Sequence, residues 1–303
     1  TVSIYTGRDS VYHFNTFDLP VSVSKVYTSF NTGELIINAS SYLYLAHGIE
    51  INMDTIDAAG DCGHYIFINA FCREAAVENP AEDCPSATPV FTSTGGNIIV
   101  DYVKLTDNEA QGAIFTANNS FDQDYLTGWT INEPNNTNTL YWIGGTGYWD
   151  DFTHWSLSSG GGSYGCIPVR GNSVVFDANS FSSEDTVTLV DSGYCDNMSW
   201  TNIDELGFLS GDGSVIVTDS LLLHDSTAVD LNEGLHLVKD GAASYSITSR
   251  HAEINTNIYI DGTSTRVLAD TLFSNAGIEH VKGTFNLNRM GLMANLLNTQ
   301  GSE

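Results

Sequence analysis

The stretch from Tyr141 to Ser156, YWIGGTGYWDDFTHWS, concentrates side chains that could do chemistry. Its tryptophans could stack on sugar rings, and its adjacent aspartates and its histidine could bind a metal ion or exchange protons. Glycines lie among them, so the backbone can turn sharply here. What this stretch can do therefore depends on which of these side chains the fold leaves exposed.

The glycines of this stretch, Gly144, Gly145 and Gly147, do not form a phosphate-binding loop. Such a loop ends in Gly-Lys-Ser/Thr, and a dinucleotide fingerprint places GxGxxG between a strand and a helix. Neither pattern is present, and Trp149 follows where a helix would begin. The glycines instead predict a tight turn between two aromatic strand ends.

Asp150 and Asp151 are weak calcium candidates, and Ca²⁺ is the only cofactor that the sequence leaves open. Adjacent residues of a strand point to opposite faces, so these carboxylates can act together only if the chain turns between them. Aspartates are common in turns, where their side chains bond the backbone two residues on. We therefore expect a solvated turn at this point and no catalytic residue.

Trp142, Trp149 and Trp155 have two alternative interpretations. Exposed indole faces would form a platform for sugar rings, whereas buried indoles would plug the open end of a β core. A solenoid without such a cap exposes strand edges and an apolar interior, which promotes aggregation. The sequence favours the three residues as cap aromatics, with the platform as the alternative.

The charge of the chain excludes one class of partner. Among 303 residues, 37 are acidic and 10 are basic, which gives a formal net charge of -27. Such a surface repels nucleic-acid phosphates and anionic lipid headgroups. The sequence has no apolar run long enough to span a membrane, and its first residues have no signal-peptide pattern. We expect no nucleic-acid binding, no direct membrane insertion, and a mature product or the ordered part of a longer one.

The five cysteines include no CxxC pair, and no histidine lies at zinc-finger spacing from them. Disulfides are therefore a better use for them than a metal site. Cys72 and Cys84 bracket a polar segment typical of a loop, and Cys166 and Cys195 each lie near a strand-like run. These four are the disulfide candidates, with their pairing left open, and Cys62 is left as a buried thiol. Disulfides indicate an oxidising, extracytoplasmic location.

Strand signals dominate the chain. Runs rich in β-branched and aromatic residues, such as HYIFINAF and NIIVDYVKL, are separated by Gly, Asn, Asp or Ser. Only EAAVEN and MGLMANLLN have helical spacing. In the last third of the chain the apolar runs recur roughly every twenty residues, about one turn of a parallel β-helix. We predict an all-β chain that forms right-handed parallel β-helix (solenoid) units in tandem, with β-sandwich repeats as the alternative.

A change in composition divides the chain in two. The segment INEPNNTNTL replaces the apolar alternation with Pro, Asn and Thr, which is typical of a linker. The prediction places the C-terminal coils of one unit at 1–134, a linker at 135–140, and the N-terminal cap and coils of the next unit at 141–303.

Three motifs follow one another after this linker: YWIGGTGYWDDFTHWSLSSGGG, GCIPVRGNSVVFDANSF and GYCDNMSW. They resemble the opening of a repeated unit in giant cell-surface proteins of Bacteroidetes, and DCGHYIFINAF with the segment that follows it resembles the closing coils of such a unit. The resemblance covers residues 48 to 220. It implies a tandem array of β-helical units that the type IX secretion system exports to the outer cell surface, as in SprB-like gliding-motility adhesins.

The resemblance also implies a role. This role is structural and adhesive, in gliding motility or surface attachment, without catalysis. The implied partners are neighbouring repeat units of the same chain, surface polysaccharides or substrata, and outer-membrane secretion or motility machinery. Two alternatives stay open: an extracellular carbohydrate-binding module and a β-helical polysaccharide lyase. A lyase site clusters Asp, Arg and Lys, whereas the ten basic residues of this chain are dispersed.

A short motif agrees with that lineage. Exported proteins of Bacteroidetes are O-glycosylated at Asp-Ser or Asp-Thr followed by a residue such as Ala, Ile, Leu, Val, Met or Thr. Composition alone would give roughly two matches, and short motifs often match by chance. The chain has six, at Ser10, Thr55, Thr186, Ser220, Ser226 and Thr271.

Overall fold

The computed structural model describes residues 2–4, 12–71, 87–134 and 136–299. Contacts divide the chain into two compact units, residues 1–134 and 135–303. Parallel strands build both units as β-solenoids, with about 13 turns in total, and no α-helix occurs in the ranges given. The all-β, parallel solenoid prediction is therefore confirmed. The β-sandwich alternative is wrong, because the strands pair in parallel in every sheet apart from one antiparallel pair, Thr139–Trp142 with Trp155–Ser156, at the start of the second unit.

The first unit contains fourteen strands in the part of it that the structure describes. These are β1 (Val2–Ile4), β2 (Tyr12–Leu19), β3 (Val23–Val26), β4 (Phe30–Ile37), β5 (Tyr42–Ala46), β6 (Glu50–Asp57), β7 (Ile66–Phe71), β8 (Val90–Thr92), β9 (Asn97–Asp101), β10 (Val103–Thr106), β11 (Glu109–Gln111), β12 (Ile114–Asn118), β13 (Phe121–Asp124) and β14 (Trp129–Asn132). The sheet orders are β1-β3-β5-β7-β10-β13, β11-β8-β6-β4-β2 and β14-β12-β9. Neighbours in a sheet are not consecutive in the chain, because each turn adds one strand to a sheet.

The longest strands of the first unit change phase in the middle. In β4 the buried residues are Phe30 and Thr32 before the change and Leu35 and Ile37 after it. In a regular strand every second residue is buried, so the buried residues would all have even numbers or all have odd numbers. In β4 they change from even to odd, so the strand is irregular at Gly33. A Cβ at Gly33 would lie 2.7 Å from the carbonyl oxygen of Asn15 in the turn before. A side chain therefore does not fit there without movement of the backbone.

The second unit begins at a sheet edge with an antiparallel pair and continues in parallel. Its strands are β15 (Thr139–Trp142), β16 (Gly147–Tyr148), β17 (Trp155–Ser156), β18 (Ser173–Phe176), β19 (Asp185–Leu189), β20 (Gly193–Cys195), β21 (Met198–Trp200), β22 (Gly207–Gly211), β23 (Ser214–Val217), β24 (Leu221–Leu222), β25 (Thr227–Leu231), β26 (Gly234–Val238), β27 (Ser244–Thr248), β28 (Glu253–Ile254), β29 (Ile258–Asp261), β30 (Thr265–Leu268), β31 (Leu272–His280), β32 (Thr284–Asn286) and β33 (Leu292–Thr299), with a 3₁₀ helix at Phe152–His154. The pair β15–β17 is antiparallel. The sheet orders are β17-β15-β18-β21-β24-β27-β30-β32, β16-β19-β22-β25-β28 and β20-β23-β26-β29-β31-β33.

Aliphatic ladders fill the second unit. Val187, Leu209, Val229 and Ile254 are register partners on four successive strands, and each is at most 1% exposed. Burial of one such side chain stabilises a fold by about 1.5–3 kcal/mol. Each turn therefore needs its neighbours, because a single turn cannot bury its own inner face.

The two ends of the second unit differ. At its start, β15 and β17 cover the first turn, whereas β33 pairs only with β31 among the strands described. Its residues Met293, Leu296 and Leu297 are 60%, 65% and 51% exposed. The sequence MGLMANLLN therefore forms a strand, against its helical spacing, and the other helical candidate, EAAVEN, lies outside the described residues.

Two further predictions concern the linker and the membrane. β15 begins at Thr139, so the last two residues of the predicted linker belong to a strand. Within the ranges that the structure covers, no helix has the length and hydropathy needed to cross a membrane.

Candidate functional site

The three tryptophans of the opening stretch form one cluster inside the first turn of the second unit. Trp142, Trp149 and Trp155 are 0%, 4% and 0% exposed. The Trp155 ring meets those of Trp142 and Trp149 edge-on, at centroid distances of 5.1 Å and 4.9 Å, and all three rings contact Phe176 of β18. None of these three indole faces is free for a sugar, so the cluster has the geometry of a plug and not of a platform.

Two indole N–H groups of the plug donate hydrogen bonds to the backbone around it. Nε1 of Trp142 donates to the carbonyl oxygen of Gly145 at 2.7 Å, and Nε1 of Trp155 donates to that of Trp149 at the same distance. The loop between β15 and β16 has Gly144 and Gly145 at φ values of 89° and 73°. Only glycine adopts this backbone region without cost, so the loop depends on these two residues.

His154 serves the plug as a packing residue. Its ring lies parallel to that of Trp142, with the centroids 4.7 Å apart, and its Nδ1 donates to the carbonyl oxygen of Ile143 at 2.7 Å. A Cβ on Gly147 would lie 2.2 Å from its Nε2. The third glycine of the stretch therefore leaves the space that this imidazole occupies.

Asp151 caps the short 3₁₀ helix. Its Oδ1 accepts hydrogen bonds from the backbone N–H and the hydroxyl of Thr153, at 2.9 Å and 2.6 Å. These bonds, the hydroxyl's first, lower the pKa of Asp151 below its usual value against the effect of burial. Asp150 lies exposed beside it. In the part of the chain described, no three His, Cys, Asp or Glu side chains are grouped closely enough to hold a metal ion.

Asp185 is the buried carboxylate of this region, and its role as an anchor is not evident from the sequence. It is 8% exposed, and its Oδ1 accepts from the N–H and the hydroxyl of Thr146 at 3.1 Å and 2.9 Å. Its Oδ2 accepts from the Ser182 N–H at 3.2 Å. Burial raises the pKa of Asp185, but these hydrogen bonds outweigh it and hold the pKa below its usual value. The carboxylate therefore ties the glycine loop to β19.

The cysteines differ from the prediction at two positions. Cys166 is disulfide-bonded, as predicted, but so is Cys62, which was expected to be the buried thiol. Cys195 is free and fully buried. Its side chain points into the core from β20, where burial, with the charges of Asp196 and Asp219, raises its pKa and keeps the thiol protonated. Cys72 and Cys84 lie outside the described residues.

The glycosylation candidates differ in exposure. Thr55 is exposed, whereas Thr186, Ser220, Ser226 and Thr271 are only half-exposed, and Ser10 lies outside the described residues. The aspartates of three of these motifs have structural roles. Asp185 holds Thr146, Asp219 pairs with Lys239 at 3.0 Å, and Asp270 accepts the backbone N–H groups of Ser249 and Arg250.

A polar groove on the first unit was missed by the sequence analysis. It encloses about 290 Å³ and lies where β2, β4 and β6 change phase. His13, Asn31, Asn52 and Thr92 line it and are register partners on four adjacent strands. Each strand therefore contributes one polar side chain to the same wall. In the sequence, a polar residue recurs before each phase change. The number of residues between these positions differs from turn to turn, so the recurrence is not evident without the structure.

No protein-family model, curated protein or solved structure matches the chain significantly.

Proposed function

We propose that the protein is a structural and adhesive segment of a giant repetitive cell-surface protein, and that it acts without catalysis. The observation that carries this proposal is the parallel pairing of successive turns in both units. Strand hydrogen bonds in such a stack run along its axis and couple each turn to the next. A load along the axis then passes from turn to turn and is shared at each step by the hydrogen bonds of several strand ladders, which suits a stalk or a filament.

The tryptophan plug supports the same role. A repeated array needs each unit to begin with a closed turn, because an open turn would pair with neighbouring chains. The cluster of Trp142, Trp149 and Trp155 provides that closure at the start of the second unit. The half-cystines Cys62 and Cys166 favour an oxidising compartment outside the cytoplasm. Both features agree with export, and neither depends on an enzymatic activity.

The test of this role is the location and mass of the native protein. An antibody raised against residues 135–303 should label intact cells, and protease added outside the cells should remove the label. The native chain should run at several times the 32.8 kDa of this sequence and should stain for glycan. A protein found only in the cytoplasmic fraction, where protease added to intact cells does not reach it, would contradict the proposal.

Adhesion also needs a surface that recognises something. The buried tryptophans do not supply one, whereas the groove of the first unit is open to solvent and lined mainly by polar side chains. The presence of this groove favours a segment that also recognises glycans over one with a purely structural role.

A further inference from the structure

We infer that the groove of the first unit binds an uncharged glycan chain, which deepens the proposed adhesive role by naming the class of its ligand. The groove runs across successive strands, about 4.8 Å apart, each of which adds a polar side chain at the same level. Asn31 and Asn52 stand on neighbouring strands, with Thr92 on the next. A sugar chain laid across the strands would meet a new polar group with each ring.

Some of the polar groups that line the groove have no side-chain partner among the described residues. The Asn31 Oδ1 is buried and accepts no hydrogen bond within the described residues, although its Nδ2 lies 3.2 Å from His13 Nδ1. Neither the Asn52 amide nor the Asp54 carboxylate is bonded to another side chain in the ranges that the structure covers. The Asn31 oxygen is too deeply buried for a ligand to reach, whereas Asn52 is half-buried and Asp54 is exposed. A ligand hydroxyl in the groove could therefore bond to the Asn52 amide and the Asp54 carboxylate.

The groove also has some apolar surface. Phe14 lines it and is partly exposed, whereas Met53 is buried in the core beneath it. A pyranose ring combines hydroxyl edges with C–H faces, so it needs amides or hydroxyls beside an apolar surface. Binding sites for small ligands also combine apolar surface with placed polar groups, although their lining is more apolar than that of this groove. The groove therefore fits a sugar better than it fits a purely polar solute.

Charge restricts the glycan to an uncharged one. Asp54 lines the groove, and Glu50 lies beside it, since the Thr92 hydroxyl donates to Glu50 Oε1 at 3.1 Å. Among the residues that the structure describes, no lysine or arginine lines the groove, and the whole chain carries a net charge of -27. A uronate or sulfated polymer would bring further negative charge against these carboxylates, which costs affinity.

The test is affinity electrophoresis of the full chain in native gels that contain one polysaccharide each. Hydroxyethylcellulose, galactomannan and laminarin serve as uncharged probes, and polygalacturonate serves as the anionic one. We expect retardation by at least one uncharged probe and none by polygalacturonate. Retardation by polygalacturonate alone, or by no probe at all, would overturn the inference.

Variants locate the binding. Asn52→Ala removes one groove amide and should weaken retardation about three- to tenfold, the loss expected for one or two hydrogen bonds between neutral groups. Asn97→Ala is the matched control, because Asn97 is an exposed strand asparagine of the same unit outside the groove. Equal retardation of N52A and N97A would overturn the assignment to the groove.

A second variant guards against misfolding. Thr92→Val keeps the shape of the side chain and removes the groove hydroxyl. If N52A melts at a clearly lower temperature than the parent chain, the retardation of T92V is used instead to test whether the glycan binds in the groove. Failure of this inference is distinguishable from failure of the proposed function. If the protein is exposed on the cell surface but no glycan retards it, only the assignment of a glycan to the groove is wrong. If the protein is cytoplasmic but binds glycan through Asn52, only the proposed surface role is wrong.

Discussion

At the scale of single residues, the cap of the second unit depends on a buried carboxylate and not on its exposed acidic pair. Asp185 is held by three hydrogen bonds from Thr146 and Ser182, whereas Asp150 is exposed. Hydrogen bonds to an ionised group are stronger than neutral ones. The aspartate that sequence motifs mark as part of a modification site is therefore a structural anchor.

Asp185→Asn should destabilise the protein by about 1–2 kcal/mol at pH 7, because the amide cannot accept both sets of bonds. The folded state lowers the pKa of Asp185, so the stability that it contributes is present above the unfolded pKa of 3.8 and is lost as the pH falls below it. Urea denaturation from pH 7 to pH 2 should show the difference between parent and variant shrinking in acid. Asp150→Asn is the control, and a pH-independent difference for D185N would contradict this account.

Gly33 is a second residue whose type is fixed by close contact. Gly33→Ala places a Cβ 2.7 Å from the Asn15 carbonyl oxygen, and we expect a loss of about 1–3 kcal/mol from overpacking. Gly96→Ala is the matched control, since a Cβ there has no atom within 4 Å. Thermal unfolding of both variants checks this prediction. An equal effect of G33A and G96A would mean that the turn before Gly33 can move aside.

At the scale of elements, the plug is the part of the second unit that neighbouring turns cannot replace. Trp155→Ala should cost about 3–5 kcal/mol, because it empties the centre of the cluster, and it should promote aggregation by opening the first sheet edge. Tyr148→Ala removes a 54% exposed aromatic from the same region and should leave both properties nearly unchanged. Light scattering and chemical denaturation measure the two effects. A W155A chain that stays monomeric and stable would show that β15 and β17 close the turn without the indoles.

The sequence was informative about elements and less so about register. Short β-branched runs between turn residues predicted the strands, because that pattern reflects local preferences. The register of Asn31 with Asn52 depends on how many residues each turn takes, and those lengths differ along the chain. The groove was missed for that reason. MGLMANLLN was misread because its apolar spacing suits a helix, whereas pairing with β31 makes it a strand.

The cysteines illustrate the same limit. Cys62 and Cys195 each lie near strand-like sequence, so local pattern does not distinguish a half-cystine from a buried thiol. Cys195 is fully buried within β20, whereas Cys62 is half-exposed in the turn between Asp61 and His64. Only the three-dimensional arrangement shows which sulfur can reach a partner.

At the scale of the whole molecule, charge is the dominant property. The net charge of -27 makes the folded chain repel itself, and salt screens that repulsion. We expect 0.5 M NaCl to raise the thermal midpoint by a few degrees, which corresponds to an increase of roughly 1 kcal/mol in the free energy of unfolding. KCl should give the same shift if screening is the cause. The absence of any shift in both salts would contradict the account.

Calcium can be tested in the same experiment. CaCl₂ at matched ionic strength should act as NaCl does if the acidic residues are only a diffuse charge. An additional rise in the midpoint that Asp151→Asn abolishes would instead identify a bound ion at the cap. Asp150→Asn, compared with D151N, would show whether both candidates take part.

The difference between the two ends of the second unit has a consequence for how the chain acquires its structure. The plug lies at the N-terminal side of its unit, and each later turn pairs with the turn before it. A chain delivered from its N-terminus therefore has a finished template before the next turn arrives, so its folding can be vectorial. Fragments that keep residues 139–156 and stop after successive turns should each resist protease, whereas fragments that begin after residue 156 should not. Equal resistance in both series would exclude the plug as the nucleus.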